Sequence, residues 1–178
     1  MSTELDQYVG MREFARVDGH IYLDVRQITP EERPDIQSRI SAQAFLPLMH
    51  ALPDHEDKVL SDWLNQLNTK LDTILNLLTY EKDGIHALPF VKTNISGGGM
   101  SFASTRPYAE GDILELKMLL PMQPPVAMIT YGEVTTVEKT DDSFTIGLIF
   151  TAIDEELRDE IIRFVFKTQR DMLREKHK

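Results

Sequence analysis

Hydrophobic and polar residues alternate with a period of two along much of this chain, and the alternation predicts six β-strands. The clearest strand is Ile113–Leu120, in which every second residue is apolar and is expected to face inward: Leu114, Leu116, Met118 and Leu120. The other five predicted strands are Ile21–Ile28, Ile85–Thr93, Met100–Ser104, Val126–Glu138 (with a bulge at Gly132) and Phe144–Phe150. Short turns join the last five strands, which favours an antiparallel barrel because closure removes exposed strand edges.

A helical period replaces the alternation between the first and second predicted strands. A first helix is expected over Asp35–Met49, with Pro47 marking a kink or its end. A second helix is expected over His55–Thr79, with Asp54 as its N-cap. Together they predict a helical hairpin inserted into the barrel.

The second of these helices carries the strongest periodic signal in the chain, a heptad seam nearly three repeats long. Its apolar residues are spaced alternately by four and three positions: Leu60, Leu64, Leu67, Leu71, Ile74 and Leu78. Trp63, Leu75 and Leu77 widen this stripe beyond the width that a two-stranded coiled coil requires. Two arrangements are therefore open. The seam packs within the subunit against the first helix and a domain face, or it forms a bundle between subunits.

A last helix follows the sixth strand. Asp154 is its expected N-cap, and the buried face is expected to consist of Leu157, Ile161, Phe164 and Val165. The predicted fold is mainly β within the α+β class: a six-stranded antiparallel barrel, a C-terminal helix and the inserted helical hairpin. The predicted divisions are a flexible N-terminal segment 1–16, a barrel domain 17–29 and 84–174, and a helical insertion 30–83.

Composition and charge exclude several classes of function. The 178 residues have a net charge of −10 and contain no cysteine, so neither disulfides nor thiolate chemistry is expected. A basic face of the kind that binds nucleic acid is not apparent, and no segment is apolar for long enough to predict a membrane span. Residues 1–8 are polar and acidic, unlike a signal peptide. We therefore expect a soluble, cytoplasmic protein.

The candidate chemistry is concentrated at Asn94-Ile95-Ser96-Gly97-Gly98-Gly99, between the second and third predicted strands. Three successive glycines permit a backbone with φ > 0 and leave no Cβ to obstruct a ligand, and exposed N–H groups in such a turn form an anion-binding concavity. Asn94 and Ser96 are two positions apart and therefore point to the same face of a strand. The alternative is a tight turn or bulge that only reverses the chain.

Arg12 and Arg16 form a second candidate group near the N-terminus. Their spacing places both guanidinium groups on one side of a helix or a strand. Arginine binds phosphate and the O6/N7 edge of guanine bidentately, and it stacks on flat rings. The alternative is a pair of solvated arginines in an irregular segment.

Patterns typical of catalysis are missing from the sequence. A G-x-S-x-G nucleophile motif would require glycine where Asn94 stands, and a dinucleotide fingerprint would require glycine where Phe102 stands. No Walker A lysine follows the glycines, and the five histidines lack the spacing of metal ligands. We therefore expect no catalytic residues, no metal site and no cofactor.

Taken together, Arg12-xxx-Arg16 and Asn94-x-Ser96-x-x-Gly99 resemble the RxxxR and (D/N)xSxxG motifs of the PilZ domain family. Further similarity lies in Glu110-Gly111-Asp112, Gly132-Glu133-Val134, Ile146–Phe150 and the final helix, so the resemblance covers about residues 11–29 and 84–174. The inserted helices depart from ordinary PilZ domains, but they look like those of atypical PilZ proteins that oligomerise through a long heptad helix.

The resemblance implies a six-stranded barrel that binds the bacterial second messenger cyclic di-GMP. Arg12 and Arg16 would bind guanine edges and phosphates, Asn94 and Ser96 would hold a guanine and a nearby phosphate, and Gly97, Gly98 and Gly99 would shape and line the turn. The expected function is a non-enzymatic receptor that relays the signal through a change of shape or partner to an unidentified downstream protein. The alternative is an oligomeric adaptor that binds proteins without the nucleotide.

Overall fold

Seven strands and two α-helices form the regular structure of the described residues, which in this computed structural model are 14–41, 57–123 and 125–176. The strands are β1 (Arg16–Gln27), β2 (Arg39–Ile40), β3 (Phe90–Ser96), β4 (Gly99–Ser104), β5 (Ile113–Leu120), β6 (Val126–Thr140) and β7 (Ser143–Thr151). The helices are α1 (Lys58–Lys82), between β2 and β3, and α2 (Glu155–Lys176), after β7.

Six of these strands close into an antiparallel barrel. β1 pairs with β3 and β5, β3 pairs with β4, and β4 pairs with β7. The pairing of β6 with both β5 and β7 completes the ring. The short β2 pairs with Met128 and Ile129 of β6 as an extra strand. The predicted barrel and C-terminal helix are confirmed.

The barrel interior is filled by the inward residues of the strands. The four predicted inward residues of β5 are each 0% exposed, and they share one core with Ile21, Ile95, Met100 and Ile146. Burying an aliphatic side chain of this size contributes about 1.5–3 kcal/mol. The period-two pattern therefore stabilises the barrel and fixes which side chains of each strand face outward.

Helix α2 packs on the barrel beside β1 and β3. The Asp154 side chain caps it by accepting a 2.9 Å hydrogen bond from the backbone N–H of Leu157. Its predicted buried face is confirmed, with Leu157, Ile161, Phe164 and Val165 all at most 2% exposed. This packing brings α2 next to the turn between β3 and β4.

Helix α1 begins at Lys58 and is capped by Asp57, whose carboxylate accepts from the N–H groups of Val59 and Leu60 at 3.0 and 3.1 Å. The expected cap at Asp54, outside the described residues, is therefore wrong, because the helix starts three positions later. At the other end of α1, Tyr80 packs against a small cluster that contains Ile85. In the described part of the chain, neither helix is apolar enough over the necessary length to cross a membrane.

The heptad seam of α1 lies on the surface of the chain. Leu60, Leu64, Leu67, Leu71, Ile74 and Leu78 are between 39% and 58% exposed. The neighbouring Trp63 is 62% exposed. Contiguous exposure of so many large apolar side chains is typical of an interaction surface.

The predicted first helix of the hairpin is wrong over residues 36–41. Arg33–Asp35 form a single 3₁₀ turn, and β2 follows in an extended conformation. β6 extends beyond the end of β7, and its free edge there pairs with β2, while Ser38 and Thr130 are joined by a buried 3.1 Å hydrogen bond between their hydroxyl groups. A strand pairing distant in sequence thus overrides the local helical pattern. Residues 42–49, including Pro47, lie outside the described residues.

Two further local predictions are corrected. Ile85–Ala87 form a 3₁₀ turn rather than the start of a strand, because the apolar Ile85 packs at the base of α1. The bulge in β6 lies between Val134 and Thr136 rather than at Gly132. Gly132 stays in register, and its lack of a side chain accommodates the close approach of Leu148 on β7.

Candidate ligand-binding surface

Strand pairing brings Arg16 of the first motif beside Asn94 and Ser96 of the second on the outside of the barrel. In the antiparallel register of β1 and β3, Arg16 lies opposite Ser96 and Asp18 lies opposite Asn94. Arg16 Nη1 donates a hydrogen bond to Asn94 Oδ1 at 3.3 Å, across 78 positions of sequence. The guanidinium and the amide therefore share one outward surface, which we call the Arg16–Asn94 surface.

Asp18 completes this surface, although sequence reasoning did not identify it. Asn94 Nδ2 donates to Asp18 Oδ1 at 2.9 Å, so the amide connects a cation and an anion. The side chains of Arg16 and Asp18 are exposed, and Asn94 is partly buried. The surface presents hydrogen-bond donors beside acceptors. The sequence offered no signal for Asp18, because the predicted first strand began only at Ile21, whereas β1 begins at Arg16.

Arg12 lies outside the described residues, so its part in the site stays a prediction. The described residues begin at Phe14, two positions before β1. Because β1 starts at Arg16, five residues earlier than the predicted strand, Arg16 belongs to the barrel sheet and not to a flexible segment. The backbone carbonyl of Arg16 accepts a 3.0 Å hydrogen bond from Gln169 Nε2 of α2. This contact fixes the start of β1 against the helix.

The Ser96 hydroxyl is used within the turn. Ser96 is 1% exposed, and its Oγ donates to the carbonyl of Gly99 at 3.1 Å and accepts from the N–H of Gly98 at 3.3 Å. One of the N–H groups expected to form an anion-binding concavity is therefore already bonded. In this arrangement Ser96 shapes the turn, and direct contact between Ser96 and a ligand stays a prediction.

Close packing explains Gly97 and Gly99, and the positive φ that three glycines would permit does not occur in this turn. Positive φ among the glycines of the described chain occurs at Gly84 and Gly111, not in this turn. A Cβ at Gly99 would overlap the backbone carbonyl of Leu148 on β7. A Cβ at Gly97 would lie 2.8 Å from Ile162 Cγ1 of α2. The missing side chains let a strand and a helix approach the turn.

Phe14 covers the glycine turn from the N-terminal side. Its ring is the nearest neighbour of a Cβ built on Gly98, at 3.4 Å. The Arg158 guanidinium carbon lies 5.5 Å from the centre of the same ring, within the range of a cation–π interaction. The ring therefore covers one side of Gly97 and Gly98, and a ligand that approaches from that side must displace it.

A separate cleft of about 580 Å³ runs along α2 and the segment before β6. Arg163, Lys167 and Arg170 line it together with Phe166, and Arg163 is paired with Glu160 at 2.9 Å. Its cations make it a second possible location for an anion. No group of three or more His, Asp or Glu side chains within the described ranges is arranged to hold a metal ion.

Comparison with protein-family models matches residues 78–167, half of the chain, to the PilZ domain. The chain belongs to the PilZ domain family. The PilZ resemblance of the sequence is thereby confirmed. A comparison of the sequence with curated proteins finds no match.

Two solved structures are similar to this chain. One is a pathogenic protein from Xanthomonas campestris, described as a new tetrameric PilZ domain that self-assembles via an unusual helical bundle. Its TM-score is 0.61 at 15% identity, and the match covers 92% of this chain and 89% of that one. A second is the inhibitor of motility MotI/DgrA from Bacillus subtilis, with a TM-score of 0.49 at 11% identity, covering 90% of this chain and 51% of that one.

Proposed function

We propose that this PilZ protein is a receptor for cyclic di-GMP and that the Arg16–Asn94 surface is part of its binding site. The observation that carries the proposal is the hydrogen bond that joins Arg16 to Asn94 across the β1–β3 pair. A guanidinium group and an amide side by side supply donors for guanine O6/N7 and for phosphate oxygens, and an acceptor for guanine N–H groups.

The remaining motif residues take supporting roles in this proposal. Arg12 adds a second guanidinium group from the segment before Phe14. Ser96 and Gly99 hold the turn in shape through their mutual hydrogen bond. Gly97 and Gly98 become accessible when Phe14 moves aside. The ligand is bound rather than converted, and the proposal includes the cytoplasm as the compartment because a second messenger acts inside the cell.

Calorimetric titration with cyclic di-GMP tests the proposal. Arg16→Ala and Asn94→Ala should each weaken binding, and loss of a bidentate arginine contact costs about 1–3 kcal/mol, or roughly 5- to 150-fold in Kd. Arg106→Ala is the matched control, because Arg106 is an exposed arginine that follows the far end of β4. Absence of heat with the wild-type protein, or equal affinities in all variants, would refute the proposal.

Self-association through α1 is the second part of the proposed function. The helix has 25 residues and is therefore about 37 Å long. All six residues of its heptad seam are exposed. The Xanthomonas campestris protein of the same fold is described as self-assembling via a helical bundle. We propose that α1 forms a comparable contact between copies of this chain.

Aspartate substitutions in the seam test this assembly. Leu67→Asp and Leu71→Asp should convert the oligomer to monomers, because each would bury an unpaired charge in the contact. Thr69→Asp is the control, since Thr69 lies on the opposite side of the helix by its period of 3.6 residues. Size-exclusion chromatography with light scattering measures the mass. A monomeric wild-type protein would contradict the assembly.

The alternative function, an oligomeric adaptor without a nucleotide, is favoured by a different observation. The Ser96 hydroxyl is engaged and Gly97 is buried, whereas the α1 seam is open to a partner. This alternative expects the same oligomer and the same effect of Leu67→Asp. It differs by expecting no heat with cyclic di-GMP, so one titration separates the two functions.

A further inference from the structure

The Asp18 carboxylate is held on the candidate surface with acceptor capacity left on both oxygens, because each carboxylate oxygen has two lone pairs. Oδ1 accepts the 2.9 Å hydrogen bond from Asn94 Nδ2, and no described residue bonds to Oδ2. Arg16 lies two positions earlier on the same outward face of β1, about 7 Å away along the strand. Asn94 connects the two charged groups, so their relative positions are fixed by hydrogen bonds on both sides.

Guanine is complementary to this pair of charges. Its N7 and O6 atoms accept hydrogen bonds from an arginine, and its 2-amino group donates. The ring N1–H lies beside the 2-amino group, so both donors point in one direction and match the two oxygens of a carboxylate. Adenine instead presents an unprotonated N1 on that edge, and its lone pair would face the negative charge of a carboxylate.

We infer that Asp18 determines guanine specificity, by accepting hydrogen bonds from the N1–H and 2-amino groups of a guanine of cyclic di-GMP. The inference rests on the proposed receptor function and assigns it a residue outside both motifs. Hydrogen bonds to a charged acceptor are stronger than those between neutral groups. A carboxylate that accepted no such bonds would repel the anionic ligand and weaken its binding. Replacement of Asp18 by alanine therefore weakens the binding of cyclic di-GMP if the inference holds and strengthens it if the carboxylate only repels the ligand.

The test compares cyclic di-GMP with its inosine analogue, which lacks both 2-amino groups and keeps O6, N7 and N1–H. Each is titrated into the wild-type protein and into Asp18→Ala and Asp24→Ala. Asp24 is the matched control, since it is an exposed aspartate on the same face of β1, six residues further along. Both aspartates are exposed, and thermal unfolding confirms that each variant is folded.

In the wild-type protein and in Asp24→Ala, we expect the inosine analogue to bind roughly ten- to hundredfold more weakly than cyclic di-GMP. In Asp18→Ala the difference between the two ligands should fall to within about threefold, since the acceptor of the 2-amino group is gone. Asp18→Asn, which keeps one acceptor oxygen, should restore part of the difference.

Two results overturn the inference and leave the receptor function intact. One is a ratio between the Kd values of the inosine analogue and cyclic di-GMP that is the same in the wild-type protein and in Asp18→Ala. The other is tighter binding of cyclic di-GMP by Asp18→Ala, which would show that the carboxylate only repels the ligand. Absence of binding by the wild-type protein would overturn the receptor function itself.

Discussion

Alanine substitutions at the three glycines of the β3–β4 turn should have three different effects. At Gly98 an added Cβ would meet Phe14 at 3.4 Å, which is an ordinary van der Waals contact. At Gly97 it would lie 2.8 Å from Ile162 Cγ1, a side-chain atom that can shift. At Gly99 it would overlap the backbone carbonyl of Leu148, which cannot shift without opening the β4–β7 pair.

The expected changes in the free energy of unfolding follow from the atoms that each added Cβ would meet. Because none of the three positions has a positive φ, alanine fits the backbone, and it should stabilise by about 0.4–1 kcal/mol through the entropy of the unfolded chain. Gly98→Ala should therefore be neutral or stabilising. Overpacking costs about 1–3 kcal/mol, so Gly97→Ala should lose about 1–2 kcal/mol. Gly99→Ala should lose about 3 kcal/mol or more.

Urea unfolding followed by far-UV circular dichroism measures this series. Tryptophan fluorescence is the wrong probe for the barrel, because the one tryptophan, Trp63, lies on the exposed side of α1. All variants are compared at one protein concentration, since self-association would make stability depend on concentration. If Gly98→Ala lost as much stability as Gly99→Ala, the turn would require a special backbone conformation, and the packing explanation would be refuted.

Four further substitutions test other contacts. Ile161→Ala removes a side chain that is 0% exposed, and it should lower the free energy of unfolding by about 2–5 kcal/mol. Its control is Phe166→Ala, which removes a side chain that is 60% exposed and should change the same quantity by less than about 0.5 kcal/mol in the same urea titration. Phe14→Ala removes the aromatic ring that contacts the glycine turn and Arg158. Hydrogen–deuterium exchange of the backbone amides in the turn should therefore become faster. Unchanged exchange would contradict the covering role of Phe14. Arg26→Ala breaks exposed ion pairs of 2.8 and 3.1 Å and should cost less than about 1 kcal/mol in thermal unfolding; a larger loss would show a cooperative network.

The parts of the fold that the sequence predicted well are those fixed by local pattern. The alternation in β5 identified all four inward residues, because a strand buried on one face has a strict period of two. The cap at Asp154 was equally local, since the acceptor and its partner, Leu157, are three residues apart. Such features need no knowledge of the rest of the chain.

Two of the predictions that failed, the first inserted helix and the strand start at Ile85, depended on partners distant in sequence. The segment around Arg39 becomes a strand because β6 offers it a free edge. Ile85 joins the cluster at the base of α1 instead of the barrel sheet. Local periodicity contains no information about either partner, so tertiary contacts override it.

The residues of the candidate site also divide into those that a local motif identified and those that only contacts distant in sequence reveal. The motifs identified Arg16 and Asn94, and the resemblance implied that both belong to one site. Asp18 and Phe14 were missed, because their importance comes from contacts with Asn94 and with the glycine turn, each about 80 residues away in sequence. The register of β1 against β3 determines those contacts, and register is not visible in single-strand patterns.

Backbone amide NMR of the deuterated protein, titrated with cyclic di-GMP, tests the central claim most directly, because it locates the ligand. We predict saturable chemical-shift changes at residues 16–18 and 94–98, with the largest changes on the Arg16–Asn94 surface. Shift changes confined to the cleft lined by Arg163 and Arg170, or no shift changes at all, would contradict the claim that this surface binds the messenger.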